Sequence, residues 1–269
     1  MTVALTKVPQ ATVPDHLLAL ARQLSLAAGS LDLFERVKAA CDAIEGPLVF
    51  TTSFGLEDQA IGHAILSQNL AIDLVTLDTG RLFAETHDVW TETERRYGKH
   101  IRAVVPEGTA LESLINGQGS NGFRASVAAR QACCHVRKVE PLNRALAGAA
   151  GWVTGLRADQ SQHRAEVSFA EFGSARGLIK INPLYDWTRE RAVAFTRQHD
   201  VPVNALHAQG FLSIGCAPCT RAGQPGEPER AGRWGWEDEG KTECGLHANP
   251  LHLAARKVLE ESALESAKS

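Results

Sequence analysis

Residues 48 to 55 read Leu48-Val49-Phe50-Thr51-Thr52-Ser53-Phe54-Gly55, a short apolar run that passes directly into a small turn. A helical pattern follows from about residue 57 to 68, and a second apolar run, Ile72 to Leu77, ends in Asp78-Thr79-Gly80. Short apolar runs that alternate with helical stretches are typical of parallel strands joined by crossover helices. The pattern predicts an α/β fold with an open, mainly parallel sheet and helices on both faces.

Three more apolar runs, Ile101 to Val105, Trp152 to Leu156 and Leu178 to Ile181, bring the predicted sheet to about five strands. Leu and Ala recur at helical spacing earlier in the chain, and glycine and proline are frequent beyond residue 214. We therefore expect an N-terminal helical segment (1–45), an α/β domain (46–214) and a flexible C-terminal tail (215–269).

Small and polar residues follow three of the predicted strands, at Ser53-Phe54-Gly55, Asp78-Thr79-Gly80 and Gly155-Leu156-Arg157. In open α/β sheets, ligands bind beyond the carboxyl ends of the strands. These three loops are therefore expected to line one crevice.

The overall charge is nearly balanced, with 28 Lys and Arg against 31 Asp and Glu and a net charge of −3. This balance gives no general basic field, so nucleic acid is not an expected partner. No apolar run approaches the roughly 20 residues that cross a bilayer, and the N-terminus does not resemble a secretory signal. The sequence predicts a cytoplasmic protein without a membrane partner, and it is compatible with a homo-oligomer.

Four of the six cysteines form two pairs: Cys133 and Cys134 are adjacent, and Cys216 and Cys219 are spaced as Cys-x-x-Cys. Adjacent cysteines form a disulfide only in a strained ring, whereas four thiolates suit zinc or an iron-sulfur cluster. The spacing favours an iron-sulfur cluster modestly over zinc, and burial of free cysteines is a further alternative.

Lys138 follows Cys134 by four residues, which places both on one face of a predicted helix over about 129 to 147. An ammonium there offsets the negative charge of a thiolate cluster. A solvated surface lysine is the alternative interpretation.

Cys244 lies in Lys241-Thr242-Glu243-Cys244-Gly245-Leu246-His247. Lys241 and His247 are candidates to lower the pKa of its thiol and so populate the nucleophilic thiolate. Arg230 and Arg233, slightly upstream, carry guanidinium groups that suit phosphate or sulfate oxygens. The alternative is that these arginines only keep a surface loop soluble.

Taken together, these motifs resemble the phosphoadenylyl-sulfate and adenylyl-sulfate reductase family, which shares the adenine nucleotide alpha-hydrolase-like fold of the ATP pyrophosphatases. Phe54 replaces a glycine of the pyrophosphatase loop, which argues against ATP cleavage. The resemblance covers most of the chain and is carried by Ser53 to Asp58, Leu77 to Gly80 with Glu85-Thr86, Cys133-Cys134 with Arg137-Lys138 and Pro141-Leu142, Gly155 to Arg157, Gly215 to Thr220, and Glu243 to His247.

The resemblance implies one 4Fe-4S cluster per subunit and a nucleophilic Cys244 on the C-terminal tail. The cluster ligands it implies are Cys133, Cys134, Cys216 and Cys219. It implies phosphosulfate contacts from Lys138, Arg164, Arg230, Arg233 and His247, and nucleotide contacts from Ser53, Leu77 and Gly155.

The branch of the family with both cysteine pairs uses adenylyl sulfate (APS). The implied reaction forms sulfite and AMP through an S-sulfocysteine, with thioredoxin or a glutaredoxin-like protein as donor, in sulfate assimilation and cysteine biosynthesis. The alternatives are a reductase of 3′-phosphoadenylyl sulfate (PAPS) and a non-catalytic, zinc-stabilised nucleotide-binding module.

Overall fold

The computed structural model describes residues 14–161, 164–173, 176–237 and 246. Within these residues six strands form one sheet in the order β3-β2-β1-β4-β6-β5, with only β5 antiparallel to its neighbour. The strands are β1 (Leu48–Thr52), β2 (Ile72–Leu77), β3 (Arg102–Val104), β4 (Gly151–Val153), β5 (Ala170–Gly173) and β6 (Leu178–Ile181). The predicted open, mainly parallel sheet is confirmed.

Helices precede, connect and follow these strands. They are α1 (Asp15–Ala27), α2 (Leu33–Ala43), α3 (Leu56–Ser67), α4 (Ala84–Tyr97), α5 (Gly108–Gln118), α6 (Val127–Cys134), α7 (Glu140–Ala145) and α8 (Arg189–Gln198). A π-helical segment, His135–Val139, joins α6 to α7. Among the described residues, no helix is both long and apolar enough to span a bilayer, and the cytoplasmic location stays a prediction.

The two faces of the sheet are buried in separate hydrophobic clusters, because successive side chains of a strand point to opposite sides. In β1, Leu48 and Phe50 belong to the larger cluster, to which α1, α2, α3 and α8 contribute. Val49 belongs to the smaller cluster, with Leu142 of α7. Helices therefore cover both faces, as the sequence predicts.

Strand β5 and helix α5 (Gly108–Gln118) were not predicted from the sequence. The four residues of β5, Ala170–Gly173, pair antiparallel with β6, and Ser25 of α1 donates a hydrogen bond from Oγ to the Ala170 carbonyl at 3.0 Å. A strand this short carries no apolar run of its own and depends on its neighbours. The domain boundaries near residues 45 and 214 stay predictions.

Candidate active site

A cavity opens at the carboxyl ends of β1, β2 and β4, beside the point where the strand order reverses between β1 and β4. Each of the three predicted loops contributes to its wall. The segment before and after the second cysteine pair completes it. Among the lining residues are Ser53, Gly55, Glu57, Asp58, Leu77, Thr79, Lys138, Gly155, Gln160, Arg164, His207, Glu229, Arg230, Arg233 and Leu246.

The loop after β1 is held in an unusual backbone conformation. Phe54 has a φ of 56°, in the left-handed region that usually favours glycine. Its backbone N–H donates to Thr52 Oγ1 at 3.0 Å. Its side chain is fully buried and stacks on Trp90 with a centroid separation of 5.5 Å. Aromatic packing thus stabilises a turn that a glycine would form without strain.

Asp58 fixes the same loop from the first turn of α3. Its Oδ2 accepts hydrogen bonds from the Ser53 backbone N–H at 2.6 Å and from Ser53 Oγ at 2.7 Å. Burial raises the pKa of Asp58 to about 6, although the bonds from Ser53 oppose this shift. A Cβ at Gly155 would collide with the Asp58 carboxylate, so the loops after β1 and β4 approach closely only because residue 155 is glycine.

Four cationic side chains line the cavity: Lys138, Arg164, Arg230 and Arg233. The guanidinium groups of Arg230 and Arg233 lie over the Trp234 ring at 5.9 and 5.1 Å from its centroid. Three carboxyl groups, Glu57, Asp58 and Glu229, line the same cavity, so the four cations form a local cluster of positive charge and not a uniformly basic wall.

Arg157 and Arg164 lie in one loop, but their side chains have different surroundings. Arg157 is fully buried and does not line the cavity, because its guanidinium donates to Glu57, Asp159 and Glu229. Arg164 does line the cavity, and its Nη1 donates to Gln160 Oε1. Of these two arginines, only Arg164 lines the cavity.

The described cysteine pairs lie close to the cationic end of the cavity. Cys134 and Cys216 are buried, and Cys133 and Cys219 are half-buried. Thr79 Oγ1 lies 3.3 Å from Cys216 Sγ. Burial opposes ionisation of Cys216, but the charge of Lys138 and the contact with Thr79 hold its pKa below the usual value.

Burial and the nearby Cys216 raise the pKa of Cys219 to about 11, with a smaller contribution from Cys133. Burial is also the main cause that raises the pKa of Cys133, and Cys216 adds to it. These mutual effects mean that three thiols, one from the first pair and both from the second, lie within electrostatic range of one another. The fold thus brings together cysteines separated by more than 80 residues.

Buried nitrogen atoms near these thiols have no hydrogen-bond partner in the described part of the chain. They are Nη1 and Nη2 of Arg130 and Nε of Arg137. Arg130 interacts with Cys134, and Arg137 with Cys133. Buried N–H donors beside thiols suit thiolates that ligate an anionic iron-sulfur cluster. No three His, Cys, Asp or Glu side chains among the described residues are arranged to hold a single metal ion.

The helix that carries Cys133, Cys134 and Lys138 is not α-helical throughout. The π-helical segment His135–Val139 begins directly after Cys134 and contains Lys138. The prediction of one uninterrupted helix over this region is therefore wrong in detail. Lys138 nevertheless lines the cavity and acts on the Cys216 thiol.

Cys244 and His247 lie outside the described residues, whereas Leu246 lines the cavity and packs beside the smaller hydrophobic cluster. The seven other predicted substrate-binding residues all line this cavity. Their roles stay predictions. No role for Asp58 or Arg157 was predicted from the sequence, although both lie in the motifs quoted above. The sequence gives no signal for His207.

Known proteins resemble most of this chain. Residues 47–222 match the family model of the phosphoadenosine phosphosulfate reductase domain. An adenosine 5′-phosphosulfate reductase of Agrobacterium fabrum is 55% identical over 217 residues, which are 81% of this chain and 83% of that protein. One of Allochromatium vinosum is 48% identical over 242 residues, 90% of this chain and 92% of that protein.

A crystal structure of phosphoadenylyl-sulfate (PAPS) reductase from Candida auris, in a phosphate complex, superposes with a TM-score of 0.65. Its sequence is 25% identical, and the match covers 82% of this chain and all of that one. The family model spans well over half of the chain, and both reductase relatives are matched over most of their length. This chain therefore belongs to the phosphoadenosine phosphosulfate reductase domain family.

Proposed function

We propose that this chain is an adenylyl-sulfate reductase, an oxidoreductase that forms sulfite and AMP from APS. The observation that carries the proposal is a cavity lined by nucleotide-type loops and four cations, with Cys216 held beside two of its lining residues, Thr79 and Lys138. The names of the A. fabrum and A. vinosum relatives support the choice of substrate.

The two ends of the cavity suit the two ends of APS. At one end, Ser53, Leu77 and Gly155 belong to loops at the carboxyl edge of the sheet, where nucleotides bind in folds of this type. At the other end, Lys138, Arg164, Arg230 and Arg233 would surround the phosphosulfate. Fixed cations also stabilise the charge that develops on a departing phosphate.

In the proposed reaction, the Cys244 thiolate attacks the sulfur of APS. A bond forms between the Cys244 sulfur and the sulfur of APS. The sulfur–oxygen bond to AMP breaks at the same time, and AMP leaves with its electron pair. Before this step His247 would contact the phosphosulfate, as the family resemblance implies. After it, the enzyme carries an S-sulfocysteine.

A dithiol donor completes the cycle. One thiolate of thioredoxin, or of a glutaredoxin-like protein, attacks the Cys244 sulfur and releases sulfite. The donor's second thiol resolves the mixed disulfide, so the donor is oxidised to a disulfide and Cys244 returns to a thiol. The two electrons come from the donor.

Cys133, Cys134, Cys216 and Cys219 would hold the proposed 4Fe-4S cluster. When bound, this cluster supplies cross-linking of two distant chain segments and a local negative charge, and the reaction requires no change in its oxidation state. Lys138, between the thiols and the cavity, would carry that electrostatic influence to the phosphosulfate.

The test is anaerobic purification followed by a donor-coupled sulfite assay with APS and with PAPS. We expect brown, iron-containing protein and faster sulfite release from APS. A preference for PAPS would identify the rival reductase, and colourless zinc protein without activity would support a non-catalytic module.

Mass spectrometry after mixing with APS but no donor tests the intermediate. We expect a sulfonate adduct on Cys244 in the wild-type protein and in the control Cys41→Ser, and none in Cys244→Ser. Sulfite production by Cys244→Ser at the wild-type rate would contradict the proposal.

A further inference from the structure

We propose that Arg157 is a positioning residue that fixes the segment bearing Arg230 and Arg233, by holding the carboxylates of Glu229 and Glu57. Its meaning for catalysis rests on the proposed function, but its effect on anion binding does not. All the contacts that carry the inference lie within the described residues.

Arg157 joins three separate parts of the cavity wall. Its Nε donates to Glu57 Oε1 at 2.9 Å, its Nη1 to Asp159 Oδ2 at 3.1 Å and its Nη2 to Glu229 Oε2 at 2.6 Å. Glu57 lies in the first turn of α3, next to the Ser53 loop, and Glu229 directly precedes Arg230. The side chain therefore cross-links the nucleotide end of the cavity to its anion end.

The cross-link is needed because it neutralises two buried carboxylates, those of Glu57 and Glu229. Glu57 and Glu229 are both mostly buried, with 12% and 14% of their side chains exposed, and both line the cavity. Burial and the charge of Glu57 raise the pKa of Glu229, and Arg157 opposes that shift. Without Arg157, two buried carboxylates would repel each other and would also repel an anion in the same cavity.

Arg189 does not replace this interaction, because its Nη1 lies 3.8 Å from Glu229 Oε1 and donates instead to the Leu212 carbonyl at 3.0 Å. Arg157 also acts on its own loop. Its backbone N–H donates to Gln160 Oε1 at 3.2 Å, and Arg164 Nη1 donates to that same oxygen. Three of the four cavity cations, Arg164, Arg230 and Arg233, thus lie on segments that Arg157 contacts.

A direct contact between Arg157 and the substrate does not agree with the geometry. The side chain is fully buried, and its Nε and both Nη atoms donate to carboxylates. Burial lowers the pKa of Arg157, but Glu57 and Glu229 raise it by more, which keeps the guanidinium charged. Its contribution is therefore to place other groups.

The experiment compares Arg157→Gln, Arg157→Lys and the double variant Arg157→Gln/Glu229→Gln as anaerobically purified full-length protein. The matched control is Arg36→Gln, which removes another buried arginine, bound to Asp186 at 2.6 and 2.8 Å, that does not line the cavity. Thermal unfolding verifies that each variant is folded, and its iron content verifies that it holds the cluster.

The first readout needs no catalysis: the ratio of AMP to adenosine affinity by calorimetry. Displaced cavity cations weaken the binding of AMP, which carries a phosphate, more than the binding of adenosine. We expect Arg157→Gln to lower the ratio about 10-fold, the scale of one charged contact, and the double variant to recover part of it because one of the two uncompensated carboxylates is gone.

The second readout is the single-turnover rate of S-sulfocysteine formation. We expect a fall of roughly 100-fold in Arg157→Gln, the usual effect of an ångström-scale displacement of catalytic groups, a smaller fall in Arg157→Lys and none in Arg36→Gln. An AMP to adenosine ratio equal to wild type in Arg157→Gln would overturn the inference, as would an equal loss in Arg36→Gln. Failure of the wild-type protein to reduce APS would overturn the proposed function alone, since the affinity ratio stands apart from it.

Discussion

Asp58 illustrates how a single carboxyl group ties the cavity to the stability of the fold. Its pKa of about 6 lies above the ordinary 3.8, because burial disfavours the charged form. The folded state therefore binds this proton more tightly than the unfolded chain does. Asp58 contributes its full stabilisation below about pH 4, and that contribution is lost as the pH rises through about 6.

The change Asp58→Asn removes this titration. The shift of about two units corresponds to at most roughly 3 kcal/mol. We expect the difference in Tm between Asp58→Asn and wild type to be more favourable to the variant at pH 8 than at pH 5. The control is Asp42→Asn at an exposed ion pair. A difference that moves the other way with pH would contradict the assigned burial effect.

Phe54 gives a second prediction at the scale of one residue. Its φ of 56° disfavours every side chain, whereas its buried ring packs on Trp90. Phe54→Ala loses the packing and keeps the strained backbone, at a cost of about 3 to 5 kcal/mol. Phe54→Gly loses the same packing but relieves the strain, which is worth about 1 kcal/mol. Urea unfolding should therefore rank glycine above alanine, the reverse of the order in an ordinary helix or strand.

At the scale of elements, the segment from α6 to α7 sets where Lys138 lies relative to the thiols. The π-helical residues His135–Val139 change the angular spacing between Cys134 and Lys138 from that of an α-helix. Lys138 still lies on the cavity wall. The helix thus carries two of the proposed cluster cysteines and a cavity cation in one continuous element.

This arrangement predicts that Lys138→Ala lowers the rate of catalysis without lowering the amount of bound cluster. In the proposed reaction the ammonium would stabilise charge at the phosphosulfate and would not bind iron. We expect sulfite formation to fall by about 10- to 100-fold, as for loss of one electrostatic contact in an active site, with iron content unchanged. Lys99→Ala, at an exposed position after α4, is the control. Loss of iron together with activity would argue for a structural role instead.

Elements also show how far the sequence determines the fold. Five strands were predictable, because burial leaves a local apolar pattern at β1, β2, β4 and β6, and the apolar run from Ile101 to Val105 marks β3 although only Val104 of that strand is buried. Strand β5 was not, since Ala170–Gly173 is stabilised by pairing with β6 and by Ser25 of α1. The π-helical segment was not predictable either, because its sequence is compatible with an ordinary α-helix.

Some features of the candidate site were likewise predictable from the sequence, and others were not. Motifs predicted which loops meet, since strand ends in a parallel sheet lie at one edge. They did not predict that Arg157 is neutralised by three carboxylates while Arg164 reaches the cavity, because Glu57 and Glu229 are 100 and 72 residues distant from Arg157. Such long-range ion pairs leave no periodic trace in a sequence.

At the scale of the whole molecule, the N-terminal helices share one core with the sheet. Leu33, Val37 and Ala40 of α2 are almost fully buried in the larger cluster. Arg36, between them, is 2% exposed and pairs with Asp186, which lies just beyond β6. Helix α2 is therefore connected to the rest of the fold by apolar packing and by a buried ion pair.

A chain shortened to begin at residue 46 tests this connection. It loses the apolar face of α2 and leaves Asp186 without its guanidinium partner. Each large buried apolar side chain contributes about 2 to 5 kcal/mol, and a whole domain is stable by only about 5 to 15 kcal/mol. We therefore expect no cooperative thermal transition by circular dichroism in this shortened chain. A cooperative transition in the shorter chain would mean that residues 46–214 fold independently, and the packing of α2 would then serve a purpose other than stability.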